Sequence, residues 1–544
     1  MTRRNDSQRS EPPAAEGKDP FAFLDRLGQD MSQARAARGA AARAEAVEGA
    51  TAEPAADLER QKAALQSALH RLSETGPAPE VVPGSHDSRR FGAVFAFLLV
   101  LVTLLAPIPI GSNRPLPWAG IVLLVGTLGL AYTLINLRRA SAPPLRLRGA
   151  ALIVAVALLQ PLWGLVQALP LGDLGRSLNF PVALPEVLRP KTISIDPTSS
   201  LIAALRMAGN VAFFVLAFDL MSRPERLLSV MRLLYWGIVG YALYGLAALV
   251  LMGDIGLWGP KEAYHGFATG PFTNRNSFAS FLGMGMVLGT ALAMELRLRP
   301  KMRRPRRHGF LSEAGLQLLV YQLGFVVLSA TLLATGSRMG LFASMIGVIV
   351  TFMLARRGSV AQSEHREAPS WQRALPAIAV ITGLGALAVL FGTGLIERGL
   401  FIEQSLQTRL DIFRQAWDLI LQRPLLGYGL DAFPRAFEIG RPDSFLDGFV
   451  YTDAHSTYLE NWAEGGLIFG SAPLLAGGLY LLRLRHAMRS RGPHIAASAA
   501  AAGVVALAAV HSLVDFSFEV EANLLLLCLI CAMGISQLTV RRQH

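Results

Sequence analysis

The sequence predicts an all-α polytopic membrane protein of about twelve transmembrane helices, with a large periplasmic loop that contains short helices. Three observations carry that expectation. Of the 544 residues, 52% are hydrophobic and 17% charged, whereas a soluble domain of this size carries about 25% charged residues. Apolar runs recur from Phe91 onward, each close to the roughly 20 residues a membrane helix needs. The basic residues collect in alternate loops between those runs, as the positive-inside rule requires.

The first 88 residues stand apart. Residues 1–90 hold 13 Lys+Arg and 14 Asp+Glu and are rich in Ala, Arg, Glu and Pro. Such a segment has too little apolar side chain to offset its ordering entropy and reads as a mostly disordered tail. The stretch "ADLERQKAALQSALHRLSE" is the exception, with Leu58, Leu65, Leu69 and Leu72 on one helical stripe. It is a short amphipathic helix, open to a partner or to none. The opening "MTRRNDSQRS" has no apolar core and is not expected to be a secretory signal peptide.

Residues 89–540 form the transmembrane domain. Twelve spans are predicted to begin near Phe91, Pro117, Gly149, Leu201, Leu227, Asn276, Ala314, Met339, Ala374, Gly465, Ile495 and Ala522. One set of alternate loops holds 21 Lys and Arg, among them the run "RLRPKMRRPRR", against seven in the other set. The basic set is therefore cytoplasmic, and both termini with it. The net charge of +12 is explained by this topology and predicts no nucleic-acid partner. Cys528 and Cys531 lie in "LLLLCLICAMG" and read as small buried hydrophobes rather than a redox pair or a zinc site.

One outer segment breaks the charge pattern. The periplasmic loop, residues 395–455, carries Arg398, Arg409, Arg414, Arg423, Arg435 and Arg441 together with nine acids. Within it, "SLQTRLDIFRQAWDLILQRP" predicts an amphipathic helix with Leu406, Leu410, Phe413, Trp417 and Ile420 on one stripe, closed by Pro424. Arg409 lies beside that stripe. Its planar fork of donors suits phosphate oxygens, or it snorkels toward Asp411 or Asp418.

The end of the loop, "TDAHSTYLENWAEGGLIFG", sets a histidine before an apolar run. Thr457 and Glu460 have the spacing of a capping box, which predicts His455 just outside a helix N-terminus. The helix dipole there disfavours imidazolium, leaving a neutral imidazole able to accept a proton; the bland alternative is a solvated loop histidine. Asp453 either orients His455 or raises its proton affinity. "ATGSRMG" puts Arg338 in a tight turn at the membrane edge, where a charge is costly. "GPFTNRNSFASF" puts Asn274, Arg275 and Asn276 at the outer start of a span, with Asn276 a possible N-cap or sugar contact. One outer face thus gathers a base, phosphate clamps and amides, with no metal cluster and no nucleotide-binding glycine loop. Chemistry in such a place needs a donor already activated and carried in lipid, such as a lipid-linked diphosphate sugar.

The motifs "GPFTNRNSFA", "GSRMG", "TRLDIFRQAWDLILQRPLLGYGLDAF" and "DAHSTYLENWAEGGLIFG", with "PIPIGSNRP" and "HSLVDFSFEVEAN" in support, resemble the O-antigen ligase and polymerase superfamily of bacterial membrane glycosyltransferases of the GT-C type. The resemblance covers roughly residues 91–540. It implies transfer of a glycan from undecaprenyl diphosphate at the periplasmic face, either to lipid A–core or to another lipid-linked glycan. It implies an inverting reaction without metal, ATP or other cofactor. It maps the family's essential histidine to His455 and its arginines to Arg338 and Arg409, with Arg414 as a further clamp; the residues themselves add Asn274, Arg275, Asn276, Asp453 and Ser456 as expected substrate contacts. Ser456 stands where the family usually has Asn. The rival readings are an O-antigen or exopolysaccharide polymerase, a twelve-span transporter, and an assembly scaffold that works through the tail.

Overall fold

The structure is a computed structural model. It describes residues 86–138, 149–179, 189–298, 313–360, 395–441, 451–489 and 495–539, together with 147, 182, 185 and 187. The predicted tail helix and the span near Ala374 lie outside the described residues. Everything described belongs to one compact unit, Ser85–His544.

Among the described residues the chain is helical, as its apolar runs demand. In order the helices are α1 His86–Leu105, α2 Pro115–Arg138, α3 Ala151–Ala157, α4 Leu159–Gln167, α5 Asp173–Leu178, α6 Pro197–Leu220, α7 Pro224–Val250 and α8 Arg275–Leu298. Then come α9 Glu313–Ala334, α10 Arg338–Val360, α11 Leu395–Gln422, α12 Phe433–Ile439, α13 Thr457–Phe469, α14 Ala472–Arg489, α15 Ile495–His511 and α16 Glu521–Ile535.

Six of these, α2 and α6 to α10, are long and apolar enough to cross a membrane, and a seventh crossing is available if the bent pair α13–α14 counts as one. Among the described residues that is fewer than the expected twelve, for local reasons, and the expected span near Ala374 lies outside them. Pro161 in α4 has no N–H for the Ala157 carbonyl, and the third run breaks there into α3 and α4. The run after Gly465 bends by 83° between α13 and α14. The apolar helices Phe91–Leu105, Ile495–His511 and Glu521–Ile535 are shorter than a full span.

Helix α8 is the axis of the bundle; 89% of its apolar stretch is buried, and it packs on α7, α9, α10 and α15. Its Gly, Ala and Ser residues permit this, because helices in lipid associate through close backbone approach rather than through a hydrophobic force between them. The same device joins α10 to α15. A Cβ on Gly503 would meet Thr351 Oγ1 and the Gly347 carbonyl oxygen, and one on Gly347 would lie 2.9 Å from the Gly503 carbonyl oxygen.

A second apolar cluster lies apart from the bundle core. It joins Ile412, Ala416, Leu419 and Ile420 of α11 to Tyr428, Phe433, Phe437, Ala454 and Ala463. Of the predicted stripe Ile420 is buried in this cluster while Leu410 and Trp417 are exposed, so the face packed on protein is only partly the predicted one. The helix is apolar on two faces, and the face with the small Ala416 makes the close contact. Nor is the outer connection built from short helices alone, since α11 has 28 residues.

Gly503→Val is expected to lower the thermal midpoint of the purified protein in detergent. Overpacking a backbone contact of this kind costs about 1–3 kcal/mol, and the smaller substitution Gly503→Ser should be markedly milder.

Candidate active site

Two of the bundle helices begin at the same end, each with an arginine in its first position. Asn274 precedes α8, and its Oδ1 accepts from Asn276 N–H at 2.8 Å. The N-cap is therefore Asn274 and not Asn276, because the helix starts one residue earlier than the sequence suggested. Ser337 does the same for α10, accepting from Gly340 N–H at 3.2 Å. The turn before it needs Gly336, which has φ +60° and sits against the Phe267 ring. Arg275 and Arg338 thus occupy helix N-termini, whose partial positive charge adds to theirs and favours an anion.

Arg275 is held by aromatic faces, 4.3 Å from the centre of the Phe267 ring and 5.4 Å from that of Tyr264. Its buried Nε has no hydrogen-bond partner. The charges of Arg338 and Arg409 both act on Arg275, and among the described residues no carboxylate is bonded to Arg275 or Arg409.

Most loop arginines have structural employment. Arg414 pairs with Asp411 at 3.0 Å on an exposed face. Arg435 reaches Asp196 at 3.9 Å, and Arg441 reaches Glu438 at 3.2 Å. Arg423 is buried, donates to Asn179 Oδ1 at 2.7 Å and to the Ile193 carbonyl at 3.0 Å, and burial pushes its pKa down to about 10. Arg409 is different: it is half-buried, and among the described residues it has no hydrogen bond or ion pair.

His455 faces this group. Its backbone is left-handed, with φ 50°, a strained setting for a residue other than glycine. Its Nδ1 is buried without a partner, and its ring lies 5.8 Å from that of Phe516. Burial and then the Arg409 charge push its pKa below the ordinary 6.5, with Asp515 opposing them. The direction is the one expected from sequence, but burial and a cation produce it. The expected capping box does not form: Ser456 is the N-cap without a side-chain bond, and Glu460 Oε2 instead accepts from Ala454 N–H at 2.9 Å. Thr457 is already the first helical residue, so Glu460 stands one position too far along for the motif.

Behind the histidine lie acids. Asp453, Glu460 and Glu519 each bring a carboxylate oxygen within 4.8 Å of the others. That spacing would admit a cation, but shared protons hold such a cluster equally well, and no metal is assigned to it. Burial, then the Asp453 carboxylate, pushes Glu519 up to about 7. Burial also raises Asp453 above the ordinary carboxylate range, and the Thr452 hydroxyl that donates to it at 2.6 Å opposes the rise.

Sequence reasoning gave no role to four residues the fold brings here. Asp515 Oδ2 accepts from Asn276 Nδ2 at 2.7 Å. His511 is buried, with Nδ1 2.6 Å from Ser280 Oγ. Tyr264 and Glu519 complete the group. Only the quoted motif "HSLVDFSFEVEAN" held any signal for three of them; Tyr264, in an irregular loop with φ 61°, left none.

Residues 323–473 match the family described as O-antigen ligase. That part of the chain is similar to the O-antigen ligase family. The match runs from within α9 into α14 and takes in Arg338, Arg409, Arg414, Asp453, His455 and Ser456. Asn274, Arg275, Asn276, His511 and Asp515 lie outside it. No curated protein matches the chain. An O-antigen ligase domain supports a membrane glycosyltransferase of the ligase or polymerase type, acting in polysaccharide biosynthesis.

The raised pKa of Glu519 has a consequence for stability. A group whose folded pKa lies above its unfolded value gives stability that is complete below the unfolded value, near 4.5 here, and lost as the pH climbs through about 7. Glu519→Gln should therefore raise the thermal midpoint relative to the parent at pH 8.5 and leave it nearly unchanged at pH 4.5.

Proposed function

We propose that the protein transfers a glycan from undecaprenyl diphosphate to an acceptor hydroxyl at the periplasmic face of the bacterial inner membrane. The observation that carries the reading is the convergence of His455 with Arg409, and of Arg409 and Arg338 with Arg275, beside whose guanidinium the Gly336 turn before Arg338 lies. The outer position of that end of the bundle follows from charge: Arg138, Arg297, Arg356 and Arg489 stand at the opposite helix ends, as the positive-inside rule requires of the cytoplasmic side.

In the reaction His455 is the base, Arg338 and Arg409 stabilise the leaving diphosphate, and Arg275 adds a third guanidinium. Catalysis is then chiefly electrostatic, by groups set in place before charge develops on the leaving oxygen. Neutral His455 accepts the acceptor hydroxyl proton as that oxygen attacks the anomeric carbon, and the configuration inverts. Asn274, Asn276, Asp453 and Ser456 are polar contacts for the sugars, and Arg414 is an outer anion contact, released from Asp411 when a ligand is bound. The acceptor is lipid A–core for a ligase, or a second lipid-linked glycan for a polymerase. The chemistry requires no metal or nucleotide cofactor.

His455→Ala should abolish transfer from a defined undecaprenyl diphosphate glycan in purified reconstituted protein, while membrane insertion is retained. Full transfer by that variant would overturn the mechanism. Arg409→Lys keeps the charge but loses the two-pronged donor geometry, and should cost roughly 10- to 100-fold in rate. Because the base acts when neutral and its pKa is depressed, the acid limb of the rate profile should fall below pH 6.5. In a deletion strain, bare core with accumulated lipid-linked chains identifies a ligase, and single repeats on the core identify a polymerase.

A further inference from the structure

We propose that the bundle holds an anionic phospholipid, with its phosphate at Arg297 and one acyl chain in a slot between α8, α9 and α10. On the orientation argued above the lipid belongs to the cytoplasmic leaflet. The slot lies toward the end of α8 opposite Arg275 and does not depend on the glycosyltransferase reading.

Helices α9 and α10 both pack along α8 but scarcely touch each other. The gap between them is a slot with α8 as its floor, Phe325 on the α9 wall and Phe352 on the α10 wall. Ala293 on the floor is small and gives the slot depth. A packed interior leaves few such gaps, and here a wedge keeps this one open. The Tyr235 ring of α7 stands between Gly289 of α8 and Gly324 of α9; a Cβ at either glycine would lie 2.5 Å from a Tyr235 atom. Its hydroxyl donates to the Tyr321 carbonyl at 2.6 Å, which ties α9 to α7 and away from α10.

The lining is largely apolar, as an acyl chain requires, but it carries a cation and an amide. Arg297, in the last turn of α8, lines the slot and is half-buried, and Gln322 of α9 lines it too. Side chains lean toward the N-terminus of their own helix. Arg297 and Gln322 stand on successive helices that run in opposite directions, so they lean toward each other across the slot. Gln322 is exposed within a membrane span, next to the exposed Leu323 and Val326, and among the described residues its amide makes no hydrogen bond. A polar group facing hydrocarbon without a partner is costly, and a glycerol ester beside a bound phosphate supplies an acceptor. The arginine fork suits the phosphate oxygens themselves. A zwitterionic headgroup carries its own cation beside the phosphate, whereas phosphatidylglycerol leaves its charge to Arg297. Basic pockets between membrane helices on the cytoplasmic side favour such lipids. The sequence from Arg299 to Arg307 adds six Lys and Arg, which draw anionic lipid to this end of the bundle.

The test is native mass spectrometry of the full chain released from nanodiscs made of equal parts phosphatidylglycerol and phosphatidylcholine. The parent should retain phosphatidylglycerol in preference to phosphatidylcholine. Arg297→Gln should cut that preference about fivefold, the worth of one cation near a lipid surface. Ala293→Phe keeps the cation but fills the slot, and should displace the lipid. Arg485→Gln, which removes an exposed charge near the same end of the bundle on α14, should change nothing. Equal retention of the two lipids by the parent overturns the proposal, as does an unchanged preference in Arg297→Gln. An equal fall in Arg485→Gln overturns it too, since the effect would then be general surface charge. Should Ala293→Phe not fold, a phosphatidylglycerol with a diazirine at its chain end decides. On photolysis it should label α8, α9 or α10 of the parent, and label confined to other helices overturns the slot.

Discussion

The site depends on a short run of backbone hydrogen bonds that ties the outer helices to the bundle. Tyr428 N–H donates to the Ala463 carbonyl at 2.9 Å, Gly429 N–H to that of Glu464 at 3.0 Å, and Leu467 N–H to that of Pro424 at 2.7 Å, while Ile195 N–H donates to the Tyr428 carbonyl at 2.9 Å. The backbone approaches so closely here that side chains are excluded: a Cβ on Gly427 would collide with the Glu464 carbonyl, and Gly427 has φ +67°. The glycines of "LLGYGL" are thus the condition for docking α11 on α13. With that docking, Arg409 on one helix and His455 at the start of the other become neighbours; without it they would stand on separate elements of a long connection.

The second constraint is electrostatic. Arg423, farther along the same connection, is buried and satisfied by an amide and a carbonyl oxygen, and so works as a tie between the end of α11 and the segment around Asn179. Arg414, Arg435 and Arg441 are matched to acids. Arg409 and Arg275 are not treated this way. One has no bonded partner among the described residues, and the other rests on two aromatic rings that leave its Nε unsatisfied. Guanidinium groups crowded together at a low-dielectric boundary raise the free energy of the empty site, and an anionic ligand relieves it. The difference between matched and unmatched arginines therefore separates cations already tied to an acid, amide or carbonyl oxygen from those that rest without a bonded anion.

Much of this was legible in the residues. Long apolar runs predicted helices at the right places, because a membrane solvent leaves the backbone few alternatives. Arg275, Arg338, Arg409 and His455 stand out in the sequence as polar groups beside such runs, and those are the residues whose charges meet. What failed was local and geometric. Asn274 and Asn276 are equally good caps by composition, and only the actual start of α8 decides between them. On α11 hydropathy marks two apolar faces, and the packing partner selects Ile412 and Ala416 over Leu410 and Trp417. Asp515 and His511 were hidden for a different reason: they lie far along the chain from His455, and tertiary contacts alone bring them to it.

A final feature explains how acids and arginines coexist without cancelling. Asp453, Glu460 and Glu519 crowd together behind His455, and were all three ionised they would neutralise much of the arginine charge in front. Burial instead pushes Asp453 and Glu519 upward, with Asp515 and Asp431 adding to the rise of Asp453 and Asp453 adding to that of Glu519, which reaches about 7, so near neutral pH part of the cluster keeps its protons. Like charges forced together in a desolvated place neutralise by protonation more cheaply than by attracting a distant cation. Asp515 is set differently, with two neutral donors, Asn276 and Ser517, bonded to its carboxylate oxygens. The fold thus ties one carboxylate to neutral donors beneath the histidine segment, crowds the other acids behind it, and leaves Arg275 and Arg338 at helix N-termini.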